Sequence, residues 1–484
     1  MHDATHLQSL DHPIFHKVFH QGKWTDPISQ ETQKVENPAT EETIVCIPSV
    51  HVADVKRAID AAYRTRYAWR HTPLTERIAI VRRARAIMTS FRDILTDLEI
   101  ARLGCPVAYA RAKHVRYQCS RIDMYCSIAE TLPLTRSTAG ATITHEPMGV
   151  VACITPWNYP LGQIIQKIVP ALLMGNTVVL KPSSAAPLTA FYLVEAFAQA
   201  GLPAGVLEFV TGSDPRIGKT ITHSPKVAML SFTGSNAVGQ KLASDAARHH
   251  QRTTMELGGK SADIWLEGLR DLDRATRKLF DSIFLNAGQT CTALSRLLIP
   301  ACRKDRILAT LLRIVPEYRV GDPFDPHAKL GPVVSASQFA HIRDYIVLGQ
   351  QEGVTLLTGG IPEKIGKGYY ITPTIFTEVT PTMRIAQEEI FGPVLCVMTY
   401  ENIEQAIAIA NSTPYGLSAA VSGPEKEALA IAQELEAGNV FINAAPRDLA
   451  APFGGFKASG YGRESGIEGL LEFTQTKSIF HRHK

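Results

Sequence analysis

One cysteine, Cys291, stands in the polar, glycine-containing stretch NAGQTCTA at residues 286–293. A structural cysteine usually lies among aliphatic side chains, where its thiol stays protonated and inert. The segment from Gly288 to Thr290 can instead bend tightly and present the sulfur, as a nucleophilic cysteine requires. A structural cysteine fits this stretch equally well, so the groups that accompany the thiol must decide.

Two side chains elsewhere supply chemistry that a cysteine nucleophile needs. Asn158 lies between rigid residues in the stretch TPWNYP at 155–160, where its amide could donate to an oxyanion or cap a helix. Glu256 precedes Gly258 and Gly259, and such glycines indicate a backbone that another group approaches closely. A glutamate in that setting could have a raised pKa and act as a general base, or form an ordinary salt bridge with a lysine.

Two further features are typical of a nucleotide site. Lys181 begins the stretch KPSS at 181–184, which places a cation at a strand end, where a ribose or phosphate would bind. Residues 233–239, TGSNAVG, form a glycine turn that opens a helix, and helix N-termini bind pyrophosphate. The turn lacks the G-x-G-x-x-G fingerprint of dinucleotide sites, so an ordinary helix cap is the competing interpretation.

These residues follow strands in a regular alternation, which predicts an α/β fold with parallel sheets and helices on both faces. Cofactors in such sheets lie at the carboxyl ends of the strands. We predict strands over 150–154, 177–180, 206–210 and 227–232, and helices over 161–174, 188–200 and from about 236. A second alternation begins near residue 271 without a fixed repeat period, which indicates a second α/β domain.

The two ends of the chain have different patterns. Apolar residues at helical spacing predict helices over 52–69, 74–98 and 107–129. Residues 470–479 are predicted to form one extended strand. Because an apolar strand at a terminus must join a sheet, a neighbouring subunit is one way to supply it.

Composition limits the class of protein. The 484-residue chain is long enough for two or three domains, and its formal charge of +4 argues against a dedicated nucleic-acid-binding protein. No apolar run is long enough for a membrane span, and no signal peptide is recognisable, so we expect a cytoplasmic protein. The eight cysteines form no C-x-x-C pair, so neither a zinc site nor a disulfide framework is predicted.

The N-terminal segment is rich in histidine, with His2, His6, His12, His16 and His20. The last three are spaced by four, which on a helix would align them as metal ligands. No carboxylate completes a ligand set, and a proline at position 13 weakens a helix. We therefore predict a surface arm and no metal site.

Seven motifs occur in one order and together resemble the NAD(P)-dependent aldehyde dehydrogenase superfamily. They are WN at 157–158, KPS at 181–183, FTGS at 232–235, ELGGK at 256–260, GQTC at 288–291, EEIFGP at 388–393 and PFGGFK at 452–457. The resemblance runs from about residue 20 to residue 480. Any one motif is weak evidence, whereas seven in order are highly specific.

The resemblance implies catalytic roles for four residues. Cys291 would attack the aldehyde to give a thiohemiacetal, and the Asn158 amide and the Cys291 backbone N–H would hold the oxyanion. Loss of hydride to the nicotinamide would leave a thioester, and Glu256 would activate the water that releases the acid. Lys167 matches a lysine that is linked in the family to proton relay. These roles agree with the chemistry of a thiol, an amide and a carboxylate.

The resemblance also implies a cofactor site for NAD or NADP. Lys181 and Glu389 would bind the riboses, and Phe391 would pack near the nicotinamide. Three residues would face the pyrophosphate, namely Gly234, Ser235 and Gly239. Further residues assigned to this site are Thr155, Pro156, Trp157, Ser183, Ser184, Phe232 and Leu257.

The cofactor and the substrate are less determined than the reaction. Ser184 stands where many NAD-using members have a glutamate that accepts from the adenosine ribose, and a serine there would not repel the 2′-phosphate of NADP. Arg447 could pair with the carboxylate of a semialdehyde acid, although a surface pair with the adjacent Asp448 is the favoured interpretation. Thr290 and Thr292 flank the cysteine with small side chains, which would leave room for a bulky or aromatic aldehyde.

The family architecture implies a Rossmann-like NAD(P)-binding domain of residues 1–123 and 147–254, followed by a catalytic domain of residues 255–455. A β-strand oligomerisation arm would comprise 124–146 and 456–484. We expect a homodimer or homotetramer.

Two alternative functions remain. A CoA-acylating aldehyde dehydrogenase needs no base that activates water, so Glu256 in its full motif argues against it. A non-catalytic binding protein on the same scaffold could dispense with Cys291, Glu256 and Asn158, yet all three are present. The sequence therefore favours oxidation of an aldehyde to its acid.

Overall fold

The computed structural model describes residues 12–364 and 366–481. These residues form two large sheets, of eight and seven strands, which confirm the prediction of two α/β units. A three-stranded antiparallel sheet and two two-stranded pairs complete the β structure of the described residues. His2 and His6 lie outside them.

The eight-stranded sheet has five parallel strands at its centre and antiparallel strands at both edges. In sheet order its strands are Lys23–Thr25, Val18–His20, Leu207–Phe209, Thr177–Lys181, Val150–Ile154, Met229–Thr233, Arg252–Glu256 and Gly460–Tyr461. The strand Val150–Ile154 is buried throughout, as expected for a strand covered on both faces. Parallel pairing places Thr233 beside Glu256 and Ile154 beside Lys181, so these carboxyl ends share one edge of the sheet.

The seven-stranded sheet is parallel except for its first strand. In order its strands are Thr355–Thr358, Thr374–Thr377, Val394–Tyr400, Arg296–Pro300, Ala262–Trp265, Ser418–Ser422 and Asn439–Ile442. The two-stranded pairs join Thr32–Glu36 to Thr43–Pro48 and Tyr415–Gly416 to Phe456–Lys457.

Helices cover the sheets. Those of the N-terminal half are Val52–His71, Leu74–Ser90, Arg92–Leu103, Val107–Tyr109, Tyr117–Thr131, Pro160–Leu173, Leu188–Gln199, Pro215–Thr222 and Asn236–Ala247. Those of the C-terminal half are Leu272–Ile283, Lys304–Ile314, Ala336–Gln351, Arg384–Gln387, Ile403–Asn411, Glu425–Ala432 and Gly466–Leu471. Among the described residues, no helix is both long enough and apolar enough to cross a bilayer.

The helix Pro160–Leu173 is buried along its whole length, which explains its almost continuous apolar sequence. Pro160 suits the first helical position, since it has no N–H to leave unpaired there. The helix packs against Tyr117–Thr131 and against the strand Thr177–Lys181. It therefore holds Asn158 just before its first turn and carries Lys167 into the interior.

The prediction of one helix over 74–98 is wrong, because the helix ends at Ser90 and a second begins at Arg92. Phe91 between them has φ −87° and ψ 2°, and its ring packs edge-on against Tyr192. This break lets the second helix turn to bury Leu95 and Leu98. The predicted helix over 107–129 is present to Thr131, with π-helical geometry over Ala110–Arg116.

The prediction of one extended strand over 470–479 is also wrong. A helix occupies Gly466–Leu471, and the strand begins only at Thr474. Leu470 and Phe473 turn inward and are buried in the core that also contains the helix Tyr117–Thr131. The strand Thr474–Phe480 pairs with Ala141–Pro147 of the same chain, and Thr135–Ser137 completes this three-stranded sheet. The boundaries of the predicted domains stay predictions.

Candidate active site

The turn that carries Cys291 follows the helix Leu272–Ile283. Asn286, Ala287 and Gly288 have φ of 57°, 52° and 74°, so three consecutive residues adopt the left-handed conformation. A Cβ at Gly288 would lie 2.1 Å from the Gly392 carbonyl, so only glycine fits this contact between the GQTC and EEIFGP motifs. The tight bend predicted from the sequence is confirmed.

Amide side chains hold this turn against the loop that follows the strand Val150–Ile154. The Asn158 Nδ2 donates to the Gln289 carbonyl at 3.1 Å, and the Asn286 Nδ2 donates to the Asn158 carbonyl at 3.0 Å. The Gln289 side chain accepts from the Val334 N–H at 2.9 Å. Asn158 therefore makes one contact that positions the turn, while its NH₂ group has a second N–H to offer.

Cys291 is half-buried at the wall of a cavity of about 720 Å³. Burial of the sulfur raises the pKa of the Cys291 thiol to about 12, and the nearby carboxylates of Glu389 and Glu256 add to the effect. The thiol is therefore protonated in the resting protein, and a base must accept its proton for it to act as a nucleophile. All eight cysteines are free, so no disulfide competes for the sulfur.

Glu256 ends the strand Arg252–Glu256 and is only 2% exposed. Neither carboxylate oxygen has a hydrogen-bond partner among the described residues. Burial raises the pKa of Glu256 well above its ordinary value, and the charge of Glu464 is the next cause. Because its pKa is raised, the Glu256 carboxylate is a strong base once it is ionised.

Lys167 and Glu464 form a buried ion pair next to this carboxylate. The Lys167 Nζ lies 2.6 Å from a Glu464 oxygen and 3.2 Å from the Ser231 hydroxyl. The other Glu464 oxygen accepts from the Gln166 amide at 2.7 Å. Glu464 lies outside every motif, and sequence reasoning missed it because no local pattern marks its burial.

Gly258 and Gly259 leave room for two neighbours. A Cβ at Gly258 would lie 2.2 Å from a Glu389 oxygen, and one at Gly259 would lie 2.4 Å from the Cys291 carbonyl oxygen. The Glu389 carboxylate accepts from the Gly259 N–H at 3.0 Å. The close approach predicted from the two glycines is confirmed. These contacts join the ELGGK, EEIFGP and GQTC motifs.

Burial raises the pKa of Glu389 to about 7, although the Gly259 N–H works against that shift. Phe391, two residues later, has φ 57°, and its ring packs edge-on against Trp157 with centroids 5.3 Å apart. The Gln338 amide donates to the Phe391 carbonyl at 3.0 Å and helps to fix this strained residue.

The residues after the strand Thr177–Lys181 lie beside the TPWN loop. The Thr155 N–H donates to the Lys181 carbonyl at 3.2 Å. Burial lowers the pKa of Lys181 to about 8, and within residues 12–364 and 366–481 its Nζ has only the Pro182 carbonyl as a partner, at 3.3 Å. The Ser183 hydroxyl accepts from a backbone N–H at 3.2 Å, while Ser184 and Pro156 are half-buried.

Ser235 begins the helix Asn236–Ala247, and its side chain makes no cap hydrogen bond. The glycines of this turn are in contact with protein side chains. A Cβ at Gly234 would lie 2.5 Å from the Phe232 ring, and one at Gly239 would lie 2.5 Å from the Leu257 side chain. Their role in facing a pyrophosphate stays a prediction.

A dinucleotide fits the groups at this edge of the sheet. Lys181 offers a half-buried cation whose one partner among the described residues is the Pro182 carbonyl, and the Glu389 carboxylate lies against the backbone that follows the strand Arg252–Glu256. The uncapped N–H groups after Ser235 suit an anion. These residues provide the donors, acceptor and charge that two riboses and a pyrophosphate require.

The cavity beside Cys291 also contains Thr290, Thr292 and Arg447. The Thr290 hydroxyl is 2.9 Å from that of Tyr159, which in turn contacts Tyr109 at 3.0 Å. The favoured interpretation of Arg447 as one half of a surface pair is wrong. Its guanidinium donates to the Ser465 hydroxyl at 3.1 Å, while the Asp448 carboxylate accepts from the Ala450 N–H, because the chain turns between the two side chains.

The N-terminal histidines that the structure describes do not share a helical face. His16 ends a short 3₁₀ turn, Pro13–His16, and His20 ends a strand. His20 lies 2.6 Å from the buried carboxylate of Glu208. Within the described residues, no group of three or more histidine, cysteine or acidic side chains could hold a metal ion.

Comparison with known proteins indicates the same class of protein as the chemistry of the site. Residues 24–479 match the Aldehyde dehydrogenase family, and the chain belongs to this family. Among solved structures it is similar to aldehyde dehydrogenase C of Pseudomonas syringae, a cysteine-to-alanine mutant complexed with NAD+ and octanal. That likeness has a TM-score of 0.95 and 38% identity and covers 97% of both chains.

Two other solved structures are similar over nearly their full length. An aldehyde dehydrogenase of Mycobacterium tuberculosis complexed with NAD+ is 40% identical, with a TM-score of 0.94, covering 97% of this chain and 98% of that chain. The betaine aldehyde dehydrogenase of Staphylococcus aureus, in complex with NAD+, is 31% identical, with a TM-score of 0.95, covering 98% and 96%.

Proposed function

We propose that this protein oxidises an aldehyde to its carboxylic acid with NAD or NADP through a covalent intermediate on Cys291. The observation that supports this best is the surroundings of the thiol. A hydrogen-bonded turn fixes it at the wall of a large cavity, within the electrostatic influence of Glu256, a buried carboxylate without a hydrogen-bond partner in the described part of the chain. A binding protein has no use for an unpartnered buried carboxylate, which lowers stability.

The first step joins the Cys291 sulfur to the carbonyl carbon of the aldehyde. The thiol proton leaves as the bond forms, and the ionised Glu256 carboxylate is the proposed acceptor because its raised pKa makes it a strong base. The carbonyl oxygen becomes an oxyanion. The second N–H of Asn158 and the backbone N–H of Cys291, which has no hydrogen bond among the described residues, are the proposed donors to it.

NAD(P)+, when bound, supplies the two-electron oxidant that the reaction requires. Lys181, Ser235 and Glu389 would hold it at the edge of the eight-stranded sheet. After oxidation the substrate is an acyl group in thioester linkage to Cys291. Glu256 releases the proton that it took from the thiol to solvent and then takes a proton from a water molecule, whose oxygen attacks the acyl carbon. The acid leaves as the carbon–sulfur bond breaks, and the sulfur regains a proton from Glu256 as the thiol is restored.

The relatives with solved structures support NAD as the cofactor, since three of them contain NAD+. Ser184 leaves NADP as the alternative, because a half-buried hydroxyl there would not repel a 2′-phosphate. Initial rates with each cofactor at equal concentrations distinguish the two.

The proposal is tested with a panel of aliphatic, aromatic and carboxylated aldehydes and both cofactors, following reduced cofactor by absorbance. The wild-type protein is expected to oxidise members of the panel. The Cys291→Ala variant should lose activity by a factor on the order of 10⁴ or more, since it removes the atom that forms the covalent bond. Cofactor binding, measured by fluorescence titration, should be retained in that variant.

The CoA-acylating alternative is examined in the same assay by adding free CoA. The proposal expects acid as the product and no requirement for CoA. A rate that depends on CoA, with acyl-CoA as the product, would favour the alternative. Absence of turnover across the whole panel would favour a binding protein.

We also propose that the chain forms a homodimer or homotetramer. The support is the strand Thr474–Phe480, which lies at the edge of its small sheet and leaves Phe480 82% exposed. Light scattering compared with the 53.0 kDa mass of one chain measures the assembly state.

A further inference from the structure

Two arginines line the cavity that contains Cys291, and neither has a carboxylate partner. Arg121 lies on the helix Tyr117–Thr131, and Arg447 lies on the loop after the strand Asn439–Ile442. Among the described residues, no aspartate or glutamate oxygen lies within ion-pair distance of either guanidinium. Arginines in protein interiors are rarely left without an anion, so this pair requires an explanation.

Arg121 is 4% exposed. Its Nε donates to the Gln118 side chain at 2.7 Å, and its guanidinium lies 5.4 Å from the centre of the Tyr117 ring. One terminal nitrogen, Nη1, is buried and has no hydrogen-bond partner in the part of the chain that the structure describes. An unpartnered buried N–H of a charged group costs free energy that a bound acceptor would recover.

Arg447 is half-buried. Its guanidinium lies 4.1 Å from the centre of the Phe453 ring, and one terminal nitrogen donates to the Ser465 hydroxyl. These neutral contacts hold the side chain at the cavity without neutralising its charge. The two arginines repel each other: burial and then the charge of Arg447 lower the pKa of Arg121 to about 10. A buried and a half-buried positive charge at one wall are the arrangement of an anion site.

Among the described residues, none of the other charged groups that line the cavity forms an ion pair with either arginine. Glu464 acts on Arg121, and Glu256 on Arg447, only from beyond ion-pair distance. Its remaining cations are Lys113, Arg274 and Lys278. Each of its three carboxylates has a donor elsewhere. Asp263 accepts from the Trp265 indole and the Ser422 hydroxyl, Asp271 accepts from the backbone at the start of its helix, and Asp281 accepts from the Tyr318 hydroxyl.

We propose that Arg121 and Arg447 form an anion subsite that binds a carboxylate carried by the aldehyde substrate itself. The substrate class is therefore a semialdehyde acid, with its aldehyde carbon at Cys291 and its carboxylate at the two arginines. This inference rests on the proposed oxidation of aldehydes. A guanidinium presents paired N–H donors that match the two oxygens of a carboxylate. One cavity contains both the thiol and the arginines, so a single small molecule can reach both.

The test compares ω-carboxylated aldehydes of four to six carbons with unsubstituted alkanals of the same lengths. The wild-type protein is expected to show kcat/KM at least about tenfold higher for the best carboxylated aldehyde than for its neutral counterpart, as one charged hydrogen bond provides. Arg447→Met and Arg121→Met should raise KM for the carboxylated aldehyde by about 10- to 100-fold, in line with the loss of charge-assisted bonds. Values for the neutral alkanal should change by less than about threefold.

Lys278→Met is the matched control, because Lys278 is an exposed cation of the same cavity and its removal changes the net charge by the same amount. It is expected to change the preference for the carboxylated aldehyde by less than about threefold, as a screened surface charge does. An equal loss of preference in Lys278→Met and in Arg447→Met would overturn the specific subsite.

A second measurement covers the case in which Arg121→Met does not fold. Glutarate should inhibit the wild-type protein competitively against the aldehyde, at least about tenfold more strongly than pentanoate, and Arg447→Met should remove that difference. Equal inhibition by the two acids, or preference for neutral alkanals in the wild-type protein, would overturn the proposal. If the anion subsite is overturned but neutral alkanals are still oxidised, the proposed aldehyde oxidation is retained. If no aldehyde is oxidised, the anion subsite and the proposed oxidation are both contradicted.

Discussion

Two glutamates of the site, Glu256 at the end of a strand and Glu389 in the loop before the strand Val394–Tyr400, show how differently one protein treats the same side chain. Glu389 accepts from the Gly259 N–H, and its pKa rises only to about 7. Glu256 has no donor among the residues that the structure describes, lies near the charge of Glu464, and has a pKa well above its ordinary value. The backbone donor fixes Glu389 in place, which suits a group that positions a cofactor. The absence of a donor leaves Glu256 free to exchange protons, which suits a base.

Of the two glutamates, Glu256 should give the larger effect when its carboxylate is removed. Glu256→Gln keeps the size of the side chain but takes away the base, so steady-state turnover should fall by about 10²- to 10⁴-fold. If Glu256 acts mainly on water, a rapid first turnover should persist before the slow release of acid. Stopped-flow absorbance of reduced cofactor measures the burst and the steady rate. Turnover of Glu256→Gln within about threefold of wild type would contradict the assignment of Glu256 as the base.

Glu389→Gln is the matched substitution in the positioned carboxylate. We expect KM for the cofactor to rise about tenfold, since a ribose hydroxyl would lose a charged acceptor. The value of kcat should fall less than in Glu256→Gln, because the base and the thiol remain. Saturation kinetics with varied cofactor give both constants. A fall in kcat as deep as that of Glu256→Gln, with unchanged KM, would contradict the assigned roles.

A smaller effect is expected from the charges that tune Glu256. Because a base must lose its proton to act and the pKa of Glu256 is raised, kcat/KM should increase as the pH rises above the ordinary carboxylate range. Glu464→Gln removes a nearby negative charge and should move this rise to lower pH. Lys167→Met removes the opposing positive charge and should move it to higher pH. The shift should change activity near neutral pH by a few-fold.

Both variants leave one member of a buried ion pair alone, which typically costs about 3–5 kcal/mol of stability. Thermal denaturation therefore accompanies each pH profile, so that loss of folded protein is separated from a change in the profile. Shifts in the same direction for the two variants would contradict the electrostatic explanation, since the pair acts on Glu256 with opposite signs.

Much of the fold was predictable from apolar patterns. The strand Val150–Ile154 and the helix Pro160–Leu173 are buried on every side, so their sequences are almost continuously apolar and their bounds are predicted within one residue. Short, partly exposed strands such as Thr32–Glu36 carry mixed sequences and gave no such signal. The break at Phe91 was missed because the helical spacing of apolar residues continues through it. The helix near the end of the chain was missed because buried residues such as Leu470 and Phe473 are apolar whether they lie in a helix, a turn or a strand.

The sequence by itself predicted the chemistry that we propose for this protein, because each chemical motif is a short contiguous segment with a distinctive set of residues. Cys291, Glu256, Asn158 and their glycines could be recognised from their immediate neighbours. Only the tertiary structure decided which distant groups act on them. Glu464 reaches Lys167 across 297 residues, and Arg121 meets Arg447 at one cavity through the packing of a helix against a remote loop. Charge pairing and burial depend on that packing, and no local pattern encodes it.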